Sequence, residues 1–370
     1  MYTVRVLKFF KIFDYTIWSM EWSNTGNFLF SSGSNGIICV WGPFLKTSQK
    51  TKIFKSEYNQ KLFNNWKLLG KFNTLLINKT FKSIGILKNS NNLSISNFSG
   101  ELLLGNCENY ISKKILSIKI HSRFICHSAE IKSSCFSING GLLSTCGRDK
   151  TILIWEKTLS RKFQCLFVVD NHESDIKRII WHQSKEYIFS STYNGFIRAI
   201  GVYSNEWRIC LKFSFDSSII WSLEFNSKGE VILVLAEDAS FFFFPIFRLS
   251  QIKQCIFQNM ERFSIIFFEN ESLHTGVFSL INATTILGST SGTLNLLKKQ
   301  KNFSSFSKDD IEFGKIFRDK KFFWLKNEIF LSNSNPEPIL QLAWHPLNEN
   351  ILAGTGKNSK ILIWFFGSYV

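Results

Sequence analysis

No Cys-x-x-Cys pair occurs in this 370-residue chain, although it has eight cysteines, at 39, 107, 126, 135, 146, 165, 210 and 255. Zinc or cluster ligation needs several ligands converging at bonding distance, and short spacings usually announce it. No metal and no cofactor are expected. Most of the cysteines sit in apolar runs, where a free thiol behaves as a small hydrophobe. No apolar run approaches the roughly 20 residues needed to cross a bilayer as a helix. The longest candidate, Phe241 to Phe247, is too short and fits a β-strand. No signal peptide heads the chain, so reduced thiols and a cytoplasmic location are the default, with a nuclear pool left open. Nucleotide, hydrolase and metalloprotease motifs (G-x-x-x-x-G-K-S/T, G-x-G-x-x-G, G-x-S-x-G, H-E-x-x-H) are missing in usable context. Catalysis needs groups placed together, and no such constellation is legible, so no catalytic residue is named. Helical periodicity is also scarce, which leaves an all-β chain.

What is present is a repeat. His127, Phe136, Thr145, Asp149 and Trp155 recur as His172, Trp181, Ser190, Asn194 and Ile200, each 45 residues after its counterpart. The inner-strand aromatic and the third-strand anchor stand 19 residues apart in Trp22/Trp41, Phe136/Trp155, Trp181/Ile200 and Phe225/Phe244, and 20 apart in Trp344/Trp364. Weaker copies run from Phe81 to Gly105 and from Thr275 to Lys298. Repeats of this period and content are identified as WD40, and seven such units predict a seven-bladed WD40 β-propeller, because radial repetition leaves only short, protected strand edges. Runs such as Ile152-Leu153-Ile154-Trp155 and Ile37-Ile38-Cys39-Val40-Trp41 are short, β-branched and flanked by turns, as strands should be.

The spacing predicts one domain over 1–370, with blades near 14–41, 80–105, 127–156, 172–201, 217–246, 274–298 and 337–364. A strand at 3–10 would close the last blade; the alternative is a frayed leader. The stretches of about 42–80, 247–272 and 298–336 lack a clear period and read as inter-blade loops. In the first clear copy, His127, Thr145, Asp149 and Trp155 read as a structural relay in which each buried polar group satisfies the next.

The net charge is +16, which invites a nucleic-acid reading. The chain also has 39 Phe and only 5 Pro, the usage of AT-rich codons, which raises Lys without selection for a partner. The densest basic runs, Lys46 to Lys55 and Lys298 to Lys301, lie in the insertions. Compositional drift, a phosphate-binding surface and an acidic protein partner all remain open. No RNA-binding aromatic signature accompanies the charge, so nucleic acid is set aside as the main partner, and no membrane is expected.

Two passages go beyond a generic repeat: Leu143-Ser-Thr-Cys-Gly-Arg-Asp-Lys-Thr-Ile-Leu-Ile-Trp-Glu156 and Asn171-His-Glu-Ser-Asp-Ile-Lys-Arg-Ile-Ile-Trp-His182. With Glu206-Trp207 and Ile220-Trp-Ser-Leu-Glu-Phe225, they resemble the WD40 subunit of the cytosolic iron–sulfur protein assembly (CIA) machinery. The match covers about residues 120–230 and, more loosely, the two ends. The resemblance implies a non-catalytic scaffold for inserting iron–sulfur clusters into apo-proteins. Its partners would be a DUF59-type subunit, a helical-repeat adaptor and apo iron–sulfur clients. It also carries over Arg148, which matches the family's Arg-Asp-Lys turn. Arg148 reads either as an interface residue or as a solvated turn charge, and Tyr193 is its counterpart in the next repeat. Some members carry a Leu-Tyr-Arg tripeptide linked to a co-chaperone contact where this chain has Ala199-Ile200-Gly201, which puts that contact in doubt.

Register adds a second set. Four residues before an inner-strand aromatic stand Trp18, Lys132, Lys177 and Trp221, which would ring one end of the channel. They read as partner-binding residues or, for the two tryptophans, as core packing. Other intracellular WD40 scaffolds (coat, nuclear-pore or ribosome-biogenesis subunits) and an RNA-binding propeller are the competing functions.

Overall fold

The computed structural model describes residues 2–11, 15–43, 65–73, 79–87, 92–110, 115–160, 162–203, 206–214, 218–238, 240–245, 256–258, 272–278, 284–300, 316–319, 322–329, 338–357 and 359–368. The basic run from Lys46 to Lys55, residue 301 of the other basic run, and Cys255 lie outside the described residues.

Strands form wherever short β-branched and aromatic runs are punctuated by turns. Among the described residues they assemble into seven antiparallel-based sheets, the blades of a propeller, and no helix occurs. Blade one comprises Ile17–Trp22, Leu29–Gly33, Ile37–Pro43 and Trp66–Asn73, from the inner strand outward. Blade two comprises Phe81–Ile86, Asn92–Asn97, Glu101–Tyr110 and Ile115–Ile125. Blade three follows with Ile131–Phe136, Leu142–Gly147, Ile152–Lys157 and Phe163–Val169. Blade four has Ile176–Trp181, Tyr187–Thr192, Phe196–Tyr203 and Glu206–Ser214, with Ile256–Gln258 added in parallel to its outer edge.

Blade five is described for three strands, Ile220–Phe225, Val231–Ala236 and Phe241–Pro245. Blade six runs Leu273–Phe278, Thr284–Ser289, Leu294–Gln300 and Phe322–Ile329, edged by Ile316–Asp319. Blade seven joins the two ends of the chain. Ile339–His345, Asn348–Gly356 and Lys360–Ser368 are completed by Tyr2–Lys11, which pairs antiparallel with Lys360–Ser368.

The stretches 42–80, 247–272 and 298–336, read as loops from the sequence, therefore contain strands. Trp66–Asn73, Ile256–Gln258, Ile316–Asp319 and Phe322–Ile329 all fall inside them. The physical reason is visible in Trp66–Asn73, where only Trp66 is buried and the remaining positions are exposed or half-buried without alternation. A rim strand that meets solvent on most sides leaves little period-two signal in its sequence.

No blade can bury both of its faces alone, so the core is divided among the blade interfaces. Seven apolar clusters fill them. Between blades four and five, for example, Phe189, Ala199 and Phe213 meet Ile220, Phe225 and Val234. Between blades seven and one, Ile351 and Ile363 meet Ile17, Leu29 and Trp41. The others close the remaining gaps, and neighbouring inner strands touch all the way round the ring. Fully burying one such side chain stabilises by about 1.5–3 kcal/mol.

Hydrogen bonds stitch the same gaps. The indole N–H of Trp22 donates to the carbonyl of Ala343 at 3.1 Å, and that of Trp181 to Cys135 at 2.9 Å. The hydroxyls of Ser19, Ser83 and Thr275 accept from the backbone N–H of Ile84, Ser134 and Leu342 in the next blade at 3.1, 3.2 and 3.2 Å. Gln341 does the same for Met20 at 2.8 Å.

Candidate functional site

Every inner strand carries a register break at the same place, and Ile339–His345 has a second one at its far end. The pairing skips one residue in each strand: Trp18, Lys82, Lys132, Lys177, Trp221, His274 and Leu340. A β-bulge leaves its extra residue out of the ladder and re-aims the side chain. All seven line one cavity of about 420 Å³ at one mouth of the central channel. The bulge turns seven positions spread over 18–340 into one ring. Sequence register placed Trp18, Lys132, Lys177 and Trp221 together. It missed Lys82, His274 and Leu340, although the same offset from Ile86, Phe278 and Trp344 points to them.

The turn after the second strand supplies a second tier. The backbone N–H of Ser34, Phe98, Arg148, Tyr193, Glu237 and Thr290 donates to the carbonyl of Thr16, Thr80, Glu130, Asp175, Ile219 and Ser272, two residues before the bulge. This repeated bond locks each turn against the start of its inner strand. Phe98 and Tyr193 therefore join the cavity wall, which Lys357 of blade seven also lines. Arg148 instead points outward, with its side chain 68% exposed and Nε 3.9 Å from the Asp175 carboxylate. An exposed pair at that distance is worth little to stability, so the guanidinium is available to other groups.

Cations and rings interleave around the mouth. The Lys82 amine lies 3.7 Å from the centre of the Trp18 ring and 5.7 Å from that of Phe98. The Lys177 amine lies 3.8 Å from Trp221 and 5.4 Å from Tyr193. Lys132 and Lys177 donate to the same Tyr193 hydroxyl, at 3.2 and 3.5 Å. Trp221 also stacks edge-on against His274 at 4.6 Å.

Burial pushes the Lys82 amine down to about 8, and the positive charge of Lys132 adds to the fall while Glu130 opposes it. Burial likewise takes Lys177 down to about 7, helped by Lys82 and Lys132 and opposed by Glu130 and Glu237. Lys132 is also desolvated, but the Tyr193 hydroxyl and the carboxylates of Glu130 and Asp175 outweigh this and raise it. Its amine lies 3.5 Å from Glu130 and 3.7 Å from Asp175. His274 is held neutral, lowered by burial, Lys177 and Lys357 to about 4.

The four relay residues of blade three form a continuous chain. Trp155 donates its indole N–H to the Thr145 hydroxyl at 3.2 Å, and Thr145 Oγ1 stands 2.9 Å from His127 Nε2. His127 Nδ1 reaches both Asp149 oxygens, at 3.0 and 2.9 Å. Asp149 in turn accepts from the backbone of Ser128 and Thr151. With Nδ1 facing the carboxylate, Nε2 is left to accept from Thr145, so every donor in the chain has an acceptor.

Blade four retains only a fragment. His172 meets Ser190 at 3.3 Å, its Nδ1 has no partner among the described residues, and burial drops it to about 3. Blade two uses different chemistry, which sequence reading missed. Glu101, 2% exposed, accepts from Asn97 at 2.7 Å and pairs with Lys79 at 2.9 Å and with Arg123. Ala199, Ile200 and Gly201 are all buried in the third strand of blade four.

Among the described residues, no group of three His, Cys, Asp or Glu side chains could hold a metal ion, and no helix is long and apolar enough to cross a membrane. The chemistry on offer at the mouth is recognition by charge and aromatic surface.

Comparison with known proteins agrees with this architecture. The WD40 family profile (WD domain, G-beta repeat) matches residues 6–42, 118–156 and 163–199, so the chain carries WD40 repeats. A protein of Botryotinia fuckeliana named "Probable cytosolic iron-sulfur protein assembly protein 1" is 34% identical over 74 residues, which cover 18% of this chain and 17% of that protein. Its namesake from Chaetomium globosum is 26% identical over 125 residues, 28% of each chain. That from Sclerotinia sclerotiorum is 34% identical over 74 residues, 18% of this chain and 16% of its own. The matches thus span less than a third of these relatives. A propeller of WD40 repeats is an architecture typical of non-enzymatic scaffolds.

Proposed function

We propose that the chain is a non-catalytic WD40 scaffold in cytosolic iron–sulfur cluster insertion, acting through protein–protein contacts. The observation that carries this reading is the similarity to proteins named for cytosolic iron–sulfur assembly. It is joined by a propeller face on which Arg148 stands exposed beside a ring of half-buried cations and aromatics. A docking face needs a few anchors whose burial by a partner excludes water, and Trp, Tyr and Arg serve best. Trp18, Trp221, Tyr193, Lys132 and Lys177 supply the centre of that face, and Arg148 its rim. The planar guanidinium suits a partner carboxylate, and its stem packs on apolar surface. The partners are a DUF59-type subunit, a helical-repeat adaptor and apo iron–sulfur clients, met in the cytoplasm.

Affinity capture of the tagged full chain tests the reading. Recovery of a DUF59-type protein supports it, whereas recovery of coat, pore or ribosome-biogenesis proteins without one would sink it. Arg148→Glu should reduce that capture at least tenfold while changing stability by no more than about 0.5 kcal/mol, as for an ordinary surface change. Undiminished capture by the variant would remove Arg148 from the interface.

A further inference from the structure

The channel mouth carries more positive charge than its carboxylates answer. Lys82, Lys132, Lys177, Arg178 and Lys357 line the cavity, and Glu130 is the one acidic residue in its wall among the described residues. Lys132 takes the nearby carboxylates of Glu130 and Asp175. Among the described residues, no ion pair reaches Lys82, Lys177 or Arg178. The two lysines rest on the faces of Trp18 and Trp221 instead. An aromatic face is a weaker partner for an ammonium than an oxyanion, because its quadrupole field falls off faster than that of a charge.

A second, independent feature is Arg178. It occupies the position just after the bulge, where the neighbouring blades place Ser19, Ser83, Ser133, Ser222 and Thr275. The hydroxyls of Ser19, Ser83 and Thr275 are acceptors that stitch blade to blade, whereas a guanidinium accepts nothing and only donates. Its Nε is buried and has no partner among the described residues, and the same is true of the indole nitrogens of Trp18 and Trp221. Buried donors without acceptors are costly and call for an explanation.

We propose that this mouth is a binding site for a small multivalent oxyanion of the phosphate or sulfonate type, held by Lys82, Lys177 and Arg178. A small ligand is favoured over a flat partner surface because the amines stand inside the mouth, and about 420 Å³ falls within the range of small-molecule sites. The site lies within the docking face proposed above but does not rest on the assembly reading, since its test needs no partner protein.

The charge state adds a signature. Lys177 at about 7 and Lys82 at about 8 are partly neutral at mildly alkaline pH. The other groups facing them are Glu130, Asp175, Tyr193, Glu237, Lys132, Arg178, Lys357 and the neutral His274. An arriving oxyanion favours both ammonium forms, so binding should draw protons onto the protein.

The experiment is calorimetric titration of the full chain with meta-benzenedisulfonate, whose own charge is constant over this range. It is run near pH 8, between buffers of different ionisation heat. The expected result is saturable binding with net proton uptake, weakened about tenfold for singly charged benzenesulfonate and about tenfold in Lys177→Met and Lys82→Met. Lys228→Met, in the exposed hairpin at the opposite end of blade five, should bind as the parent does. Binding without proton uptake, equal affinity for the two sulfonates, or an equal loss in Lys228→Met would overturn the proposal. Should Lys177→Met not fold, Lys82→Met decides. A normal Arg148→Glu capture result alongside a flat titration would discard this site alone.

Discussion

Replacing Thr145 by Val keeps the shape of a fully buried side chain and removes one hydroxyl, so the loss can be worked from the relay itself. Thr145 Oγ1 accepts from Trp155 Nε1 and stands at hydrogen-bonding distance from His127 Nε2. The variant leaves both nitrogens buried without a partner. Each orphaned group costs about 1–3 kcal/mol, which sums to about 2–4 kcal/mol once partial relaxation is allowed.

Two other blades provide graded controls. Ser31, at the matching place in blade one, accepts from the Trp41 indole at 3.1 Å. Among the described residues, the Ser190 hydroxyl of blade four meets His172 alone, because Ile200 replaces the tryptophan. Ser31→Ala and Ser190→Ala should therefore each cost about half as much as Thr145→Val, about 1–2 kcal/mol. Urea unfolding followed by tryptophan fluorescence measures all three. If Thr145→Val lost no more than Ser31→Ala, the two bonds would not add, and the relay would not be the device that holds blade three together.

Glu101→Gln should cost about 2 kcal/mol at neutral pH. Burial works to raise this carboxyl, but hydrogen bonds from Lys79, Arg123 and Asn97 outweigh it and lower it from 4.5 to about 2. That shift corresponds to about 3 kcal/mol, trimmed because the Arg123 and Lys79 side chains are 48% and 32% exposed and share their charge with water. Since the folded value is depressed, this stability is complete above about 4.5 and fades as pH falls through about 2. Urea midpoints of parent and variant should accordingly converge between neutral pH and about pH 3, and a constant gap would refute the assignment. Gly100→Ala should cost at least about 2 kcal/mol, because φ is +77° and an added Cβ would stand 2.0 Å from the His127 carbonyl oxygen. Gly141→Ala, with nothing within 4 Å of its added carbon, should leave the thermal midpoint nearly unchanged.

Much of the architecture is legible without coordinates, because it rests on signals a few residues long. The 45-residue echo from His127 to Ile200 reports alternation, turns and hydrogen-bonding residue types that each blade needs locally. The relay of His127, Thr145, Asp149 and Trp155 is readable for the same reason, since all four belong to one blade. Outer strands such as Trp66–Asn73 are not readable, because a rim strand that is mostly wet leaves no period to find.

The ring at the channel mouth sits between these cases. Its four sequence-visible members were reached by counting from an aromatic. In blade two Ile86 stands in place of that aromatic, which hides Lys82 from such a count. What only the tertiary structure decided is the electrostatic character of the place. Lys132 and Tyr193 are 61 residues apart and meet across a blade interface. Arg178 reads in sequence as one more basic residue among 44, yet it stands in the channel where its neighbours carry hydroxyls. Period and propensity, which act along the chain, determined that this protein is a propeller. Ring closure determined which charges share one low-dielectric cavity, because that depends on distances between blades and on the water their packing excludes.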